Sequence, residues 1–208
     1  MSGCCDHCHE PGASPAYRRV LLVALVVNLA MFAVEVGAGL AAQSTSLLAD
    51  SLDFLGDAAN YGLSLFVLGM ALQWRARASL LKAASMAGFG LWVAITTFQH
   101  VVAGTVPDAP VMGVVGVLGL AANLGVAALL YRWREGDSNM RAVWICTRND
   151  AIGNLAVLAA AAGVLGSGTG WPDYLVAAIM SGLALVGAGQ VSRHALAELR
   201  QPQVVGSL

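Results

Sequence analysis

The sequence predicts an all-α polytopic membrane protein with six transmembrane helices. Three observations carry this reading. Of 208 residues, 58% are hydrophobic and only 11% are charged, against about 25% charged in soluble domains. The mean hydropathy is +0.71. Uncharged apolar runs of the length needed to cross a bilayer, roughly 20 residues, recur along the chain. The formal net charge of −1 excludes a nucleic-acid partner, since neutralising phosphates requires a basic surface.

The first 16 residues are polar, with Pro11, Gly12, Ser14 and Pro15, a composition that does not fold alone. They form a flexible tail, not a signal peptide. Cys4, Cys5, His7, Cys8 and His9 give this tail thiolate and imidazole groups suited to capturing a metal. With Cys146 far away, the four cysteines are not a disulfide framework. The bland alternative for the tail is an unstructured end.

Arg18 and Arg19 precede span one, Val20 to Ala42, which is interrupted only by Asn28 and Glu35. Gln43-Ser-Thr-Ser46 is a short connection whose hydroxyls can cap the next helix. Span two runs from about Ser46 to Gln73 and ends at Trp74-Arg-Ala-Arg77, an aromatic and basic interface signature. Span three covers Ser79 to Val102. Span four runs from Val111 to Tyr131 after the turn at 104–110. Span five begins near Asn139 and carries Arg141, Cys146, Arg148, Asn149, Asp150 and Asn154. The glycine-rich stretch 166–173 then leads to span six, Tyr174 to Val191. Residues 17–192 thus form the membrane domain and 193–208 a short tail. Gly37, Gly39, Gly88 and Gly90 are expected to permit close helix contact.

Lys and Arg cluster beside the amino tail, the 2–3 and 4–5 connections and the carboxyl tail, and the remaining two connections have none. The positive-inside rule puts both termini in the cytoplasm. Short loops and absent sorting signals suit a bacterial inner membrane.

Function concentrates in span two. Leu47-Leu-Ala-Asp-Ser-Leu-Asp-Phe-Leu-Gly-Asp57 sets three carboxylates into an apolar run. At 100° per residue, Asp50 and Asp57 lie about 20° apart and Asp53 about 60° from Asp50, so all share one face. A carboxylate facing hydrocarbon costs at least a few kcal/mol, and intramembrane acids mark ion or proton paths. Counted at 1.5 Å per residue, Asp57 from one side and Asp150 from the other both reach about 15 Å, near the bilayer midplane. Asp53 and Asp57 are four apart, as are Cys146 and Asp150, so each pair shares one helix face. The four can converge on a cation. Without one, three carboxylates and a thiolate repel unless some are protonated or paired. Oxygen and thiolate donors in a fourfold array suit a zinc-like ion, whose binding expels protons.

Asp50, near the helix start, can instead complement the helix dipole. Glu35 and Asn28 favour interhelical hydrogen bonds over ion binding. Arg148 is an auxiliary candidate that can pair with a carboxylate or snorkel towards the cytoplasm.

The run from Glu35 to Asp57 resembles the cation diffusion facilitators: a glutamate and glycines in span one, a serine-rich turn, then a Leu-Ala-Asp motif with metal-binding positions matching Asp53 and Asp57. The likeness resumes at Asp150-Ala-Ile-Gly-Asn-Leu-Ala-Val-Leu158. It implies efflux of a divalent metal by exchange with protons, with no permanently bound cofactor and no enzyme activity. Two departures stand out. Cys146 replaces the family's usual His or Asp, and a thiolate favours zinc, cadmium, cobalt, iron or another thiophilic ion over magnesium or calcium. The usual carboxyl-terminal cytoplasmic domain is also missing, so a homodimer would form through membrane helices or tails. The alternatives are a non-transporting membrane metal sensor or accessory subunit, and an intramembrane aspartyl hydrolase with paired aspartates as acid and base.

Overall fold

The computed structural model describes the backbone of residues 15–66, 72–133 and 138–200, and the side chains of 15–65, 74, 76–132 and 150–199. The metal-capture tail lies outside these residues. Six α-helices follow one another: α1 (Pro15–Ala41), α2 (Thr45–Phe66), α3 (Leu72–Ala103), α4 (Ala109–Leu130), α5 (Ser138–Ser167) and α6 (Trp171–Arg200). No strand occurs among the described residues. The expected all-α membrane architecture is borne out.

Several helix ends differ from expectation. Trp74 and Arg77 stand in the first turns of α3 rather than in a connection, with the Arg77 guanidinium 5.1 Å from the Trp74 ring centroid. A cation over an aromatic face is a stable interfacial pair that needs no loop. Helix α6 continues nine residues past Val191 to Arg200. Apolar content ends a span but not a helix, because Ala195, Leu196, Glu198 and Leu199 all propagate one.

Among the described residues, five of the six helices are long and apolar enough to cross a bilayer, and α2 is the exception. Its 22 residues suffice in length. Its carboxylates lower its apolarity, and the bundle compensates by packing α2 against each of the other five helices. From Ser44 to Leu52 every residue is buried. A stretch so enclosed meets protein on all sides, so Asp50 is kept from lipid.

Apolar packing brackets this acidic helix. At one end Tyr17, Leu21 and Ala24 of α1 meet Tyr61 and Leu65 of α2 and Val126 and Leu130 of α4. Towards the other end Leu47 packs with Met112, Val115, Val157 and Val164, and Leu48, Ala49 and Leu52 with Val93 and Ala177. The polar side chains of α2 occupy the layer between.

Three tight turns, 1–2, 3–4 and 5–6, interlock at a single face of the bundle, here called the turn face. The Asp108 amide donates to the Ala42 carbonyl (2.9 Å), and Tyr174 donates to the His100 carbonyl (3.1 Å) and to that of Thr105. Gly104 and Gly168 end α3 and α5 at φ +67° and +65°, the left-handed conformation that glycine adopts without steric cost. Asp108 caps α4 by accepting from Val111 N (3.1 Å), with Pro110 in the first turn.

The strongest tie is Asp173, which is fully buried. One carboxylate oxygen accepts from Ser44 Oγ (2.7 Å) and Ser46 N (3.0 Å). The other accepts from Thr45 N (2.8 Å) and Thr45 Oγ1 (2.9 Å). The cap of α2 is therefore shared: Ser44 Oγ accepts from Leu47 N at 3.2 Å, while a carboxylate of α6 satisfies the first amides. Asp50, expected to complement the dipole, stands beyond the first turn and takes no part. Hydrogen bonds to a charged acceptor contribute about 1.5–3 kcal/mol each, and orphaning buried donors adds to the loss. Asp173→Ala should therefore destabilise the bundle by about 3 kcal/mol, seen as a lowered unfolding midpoint in detergent, whereas Ser167→Ala on the exposed 5–6 turn should leave it unchanged.

Candidate metal centre

Helices α2 and α5 pack together, and they bring Asp57 and Asp150 within hydrogen-bonding reach of one another. Asp57 is buried, 5% exposed, and Asp150 is half-buried. Tyr61, one turn further along α2, donates its hydroxyl to Asp57 Oδ2 at 2.9 Å. The i, i+4 spacing that pairs Asp53 with Asp57 thus continues to Tyr61, placing a neutral donor against the acid.

Asp53 lies on the same helix face, half-buried, nearer the turn face than Asp57. A Cβ at Gly153 of α5 would stand 3.3 Å from Asp53 Oδ2 and 3.3 Å from Asp50 Oδ1. The missing side chain of Gly153 therefore lets α5 backbone approach two carboxylates at once. Among the described residues, no three His, Cys, Asp or Glu side chains come close enough together to hold a metal ion. Cys146 belongs to α5, one turn from Asp150, and Arg148 lies between them in sequence. The side chains of both lie outside the described ones.

Glu35 and Asp50 are both fully buried. Their carboxyl groups lie within hydrogen-bonding reach of each other. Glu35 finds no amide, hydroxyl or cationic donor among the described residues, and its neighbour on the facing helix is the Asp50 carboxyl. Asn28 does not bridge helices: its amide donates to Ala24 O of its own helix at 2.8 Å. On the side of α2 away from the turn face, Lys82 of α3 donates to Asn60 Oδ1.

The glycines sort differently from expectation. Gly39 does meet α2, with Leu48 Cγ 2.9 Å and Leu48 N 3.2 Å from where its Cβ would be, and Gly90 lies 3.4 Å from Leu185 by the same measure. Gly37 and Gly88 face open space. The glycines that touch the acidic layer are Gly119 and Gly153. Asn154 joins them without belonging to an expected ligand set, and its four-residue spacing from Asp150 repeats the pattern that links Asp57 with Tyr61.

Residues 21–200 match the profile of the cation efflux transmembrane domain. Members of that family are transporters rather than enzymes, so the paired-aspartate hydrolase reading falls away. No curated protein matches the chain.

A Cβ at Gly119 would clash with the Asn154 side chain and stand 2.7 Å from Glu35 Oε1. Overpacking against buried polar groups costs about 1–3 kcal/mol. Gly119→Ala should lower the unfolding midpoint accordingly. Gly125→Ala, which meets nothing within 4 Å, should leave it unchanged or raise it slightly through better helix propensity.

Proposed function

We propose, from the premise that this chain belongs to the cation efflux family of membrane transporters, that it exports a divalent transition metal, zinc first, in exchange for protons. The observation that carries the reading is the meeting of Asp57 and Asp150 across α2 and α5, away from lipid and flanked by Asp53. Two carboxyl groups within hydrogen-bonding reach hold together only with a proton or a cation between them, since neither carboxylate can donate. That property links the two cargoes. A dication arriving at the pair displaces the proton, and reprotonation releases the dication.

Asp53, Asp57, Asp150 and Cys146 are the metal ligands in this reading. Asp53 moves in from the Gly153 side and Cys146 from one turn along α5, completing a fourfold set suited to zinc. The thiolate tunes selectivity towards softer ions, with cadmium, cobalt and iron as the nearest competitors. Alternating access exposes the set first to the face that carries the termini and then to the turn face. Arg18 and Arg19 of α1, Arg77 of α3 and Arg193 of α6 lie towards the terminal face, which the positive-inside rule assigns to the cytoplasm of a bacterial inner membrane. The Cys4-to-His9 tail hands metal to that side, and two copies associate through membrane helices.

Proteoliposomes holding a zinc-sensitive dye and given a pH gradient test the reading. Zinc transport should follow the gradient and fall at least a hundredfold in Asp57→Asn and in Asp150→Asn. Zinc binding without transport would instead mark a sensor or accessory subunit. Cys146→His should shift competition towards zinc and away from cadmium. An unchanged competition profile would remove Cys146 from the ligand set.

A further inference from the structure

Above the Asp57–Asp150 pair, towards the turn face, lies a second group of oxygens. Glu35 and Asp50 are fully buried, and no described residue donates a hydrogen bond to any of their four carboxyl oxygens. They lie within reach of each other, but two acceptors cannot satisfy one another. Buried charge without a partner costs several kcal/mol, so a partner is required.

Asn154 adds a third acceptor. It is fully buried, and its Nδ2 donates to the Asp150 carbonyl at 3.0 Å. A carbonyl can only accept, so this bond fixes which end of the amide is which. Oδ1 is left without a donor among the described residues. A Cβ at Gly119 would meet both this oxygen and Glu35 Oε1, so the two open on the same small space. Gly153 leaves the matching gap beside Asp50. Oxygens from α1, α2 and α5 therefore gather beside two glycines, with Met180 Cε of α6 the apolar atom that also approaches Gly153.

We propose that Glu35, Asp50 and Asn154 form a second station for the transported divalent cation, on the turn-face side of the Asp57–Asp150 pair. The two carboxylates balance the charge of a dication, and the amide oxygen supplies a neutral third donor. A lone proton could bridge the carboxyls but would leave Asn154 Oδ1 unsatisfied. Asp50 is seven residues from Asp57, about 10 Å along the helix, and Asn154 about 6 Å from Asp150. Asp53, sharing Gly153 with Asp50, stands between the two levels. An all-oxygen set holds a zinc-like ion less tightly than one with a thiolate, which suits a station from which the ion is released. The identification of the cation as cargo rests on the transport reading above; the binding site itself does not.

The test is equilibrium dialysis of the full chain in detergent against Zn²⁺ alone, at neutral pH. Glu35→Gln should lose one zinc equivalent per chain, Asp57→Asn a different one, and the double variant both. Wild-type zinc binding by Glu35→Gln would show that the Glu35–Asp50 pair carries protons only and would overturn the station. Loss of an equivalent in Glu35→Gln, with none lost in Asp57→Asn, would support the station and sink the Asp57–Asp150 assignment instead. If Glu35→Gln also loses the Asp57-dependent equivalent, it has lost its fold and Asn154→Ala decides. Zinc binding about tenfold weaker at the Glu35-dependent equivalent supports the proposal, and unchanged binding overturns it.

Discussion

Carboxylates cannot face hydrocarbon, and this constraint shapes the whole bundle. Helix α2 carries Asp50, Asp53 and Asp57 on one face, so it cannot sit at the periphery as an ordinary span does. It is packed against all five other helices, and its first turns are buried on every side. The peripheral helices take the lipid contact: Leu22, Val26 and Leu40 of α1, Val114 and Leu118 of α4, and Leu183 and Val186 of α6 are exposed. An apolar exterior around a polar axis inverts the arrangement of a soluble bundle, because here the solvent is hydrocarbon.

Burying α2 creates a second requirement, namely partners for its first amide groups at the turn face. Water cannot supply them beside fully buried Ser44, Thr45 and Ser46. Asp173 does, with four hydrogen bonds from a helix 127 to 129 residues away in sequence. The same carboxylate joins the first and last hairpins, while Asp108 joins the second to the first through Ala42. The turn face is thereby latched.

Much of the acidic layer was legible from local spacing. The i, i+4 rule placed Asp53 with Asp57 on one helix face, and extended by one step it reaches Tyr61 and Asn154. Hydropathy marks five of the spans among the described residues, because transfer into hydrocarbon depends on composition, and the carboxylates of α2 take it below that mark. Helix ends were less legible. Trp74 and Arg77 mark an interface whether or not the helix has begun, and the run from Ser192 to Arg200 is polar yet helical. Glycines were the least legible: Gly37 and Gly119 look alike in sequence, yet one faces open space and the other abuts Glu35 and Asn154.

By itself, then, the chain's composition and periodicity determined that six helices cross a membrane, that the acids lie inside the bundle, and on which face of each helix they stand. These follow from solvation and helical geometry, both local properties. Tertiary packing alone decided which acids meet: Asp57 with Asp150, Glu35 with Asp50, and Asp173 with the start of α2. Such pairings depend on the rotation and depth of helices distant in sequence, set by small residues such as Gly119 and Gly153 whose absent side chains carry no pattern of their own.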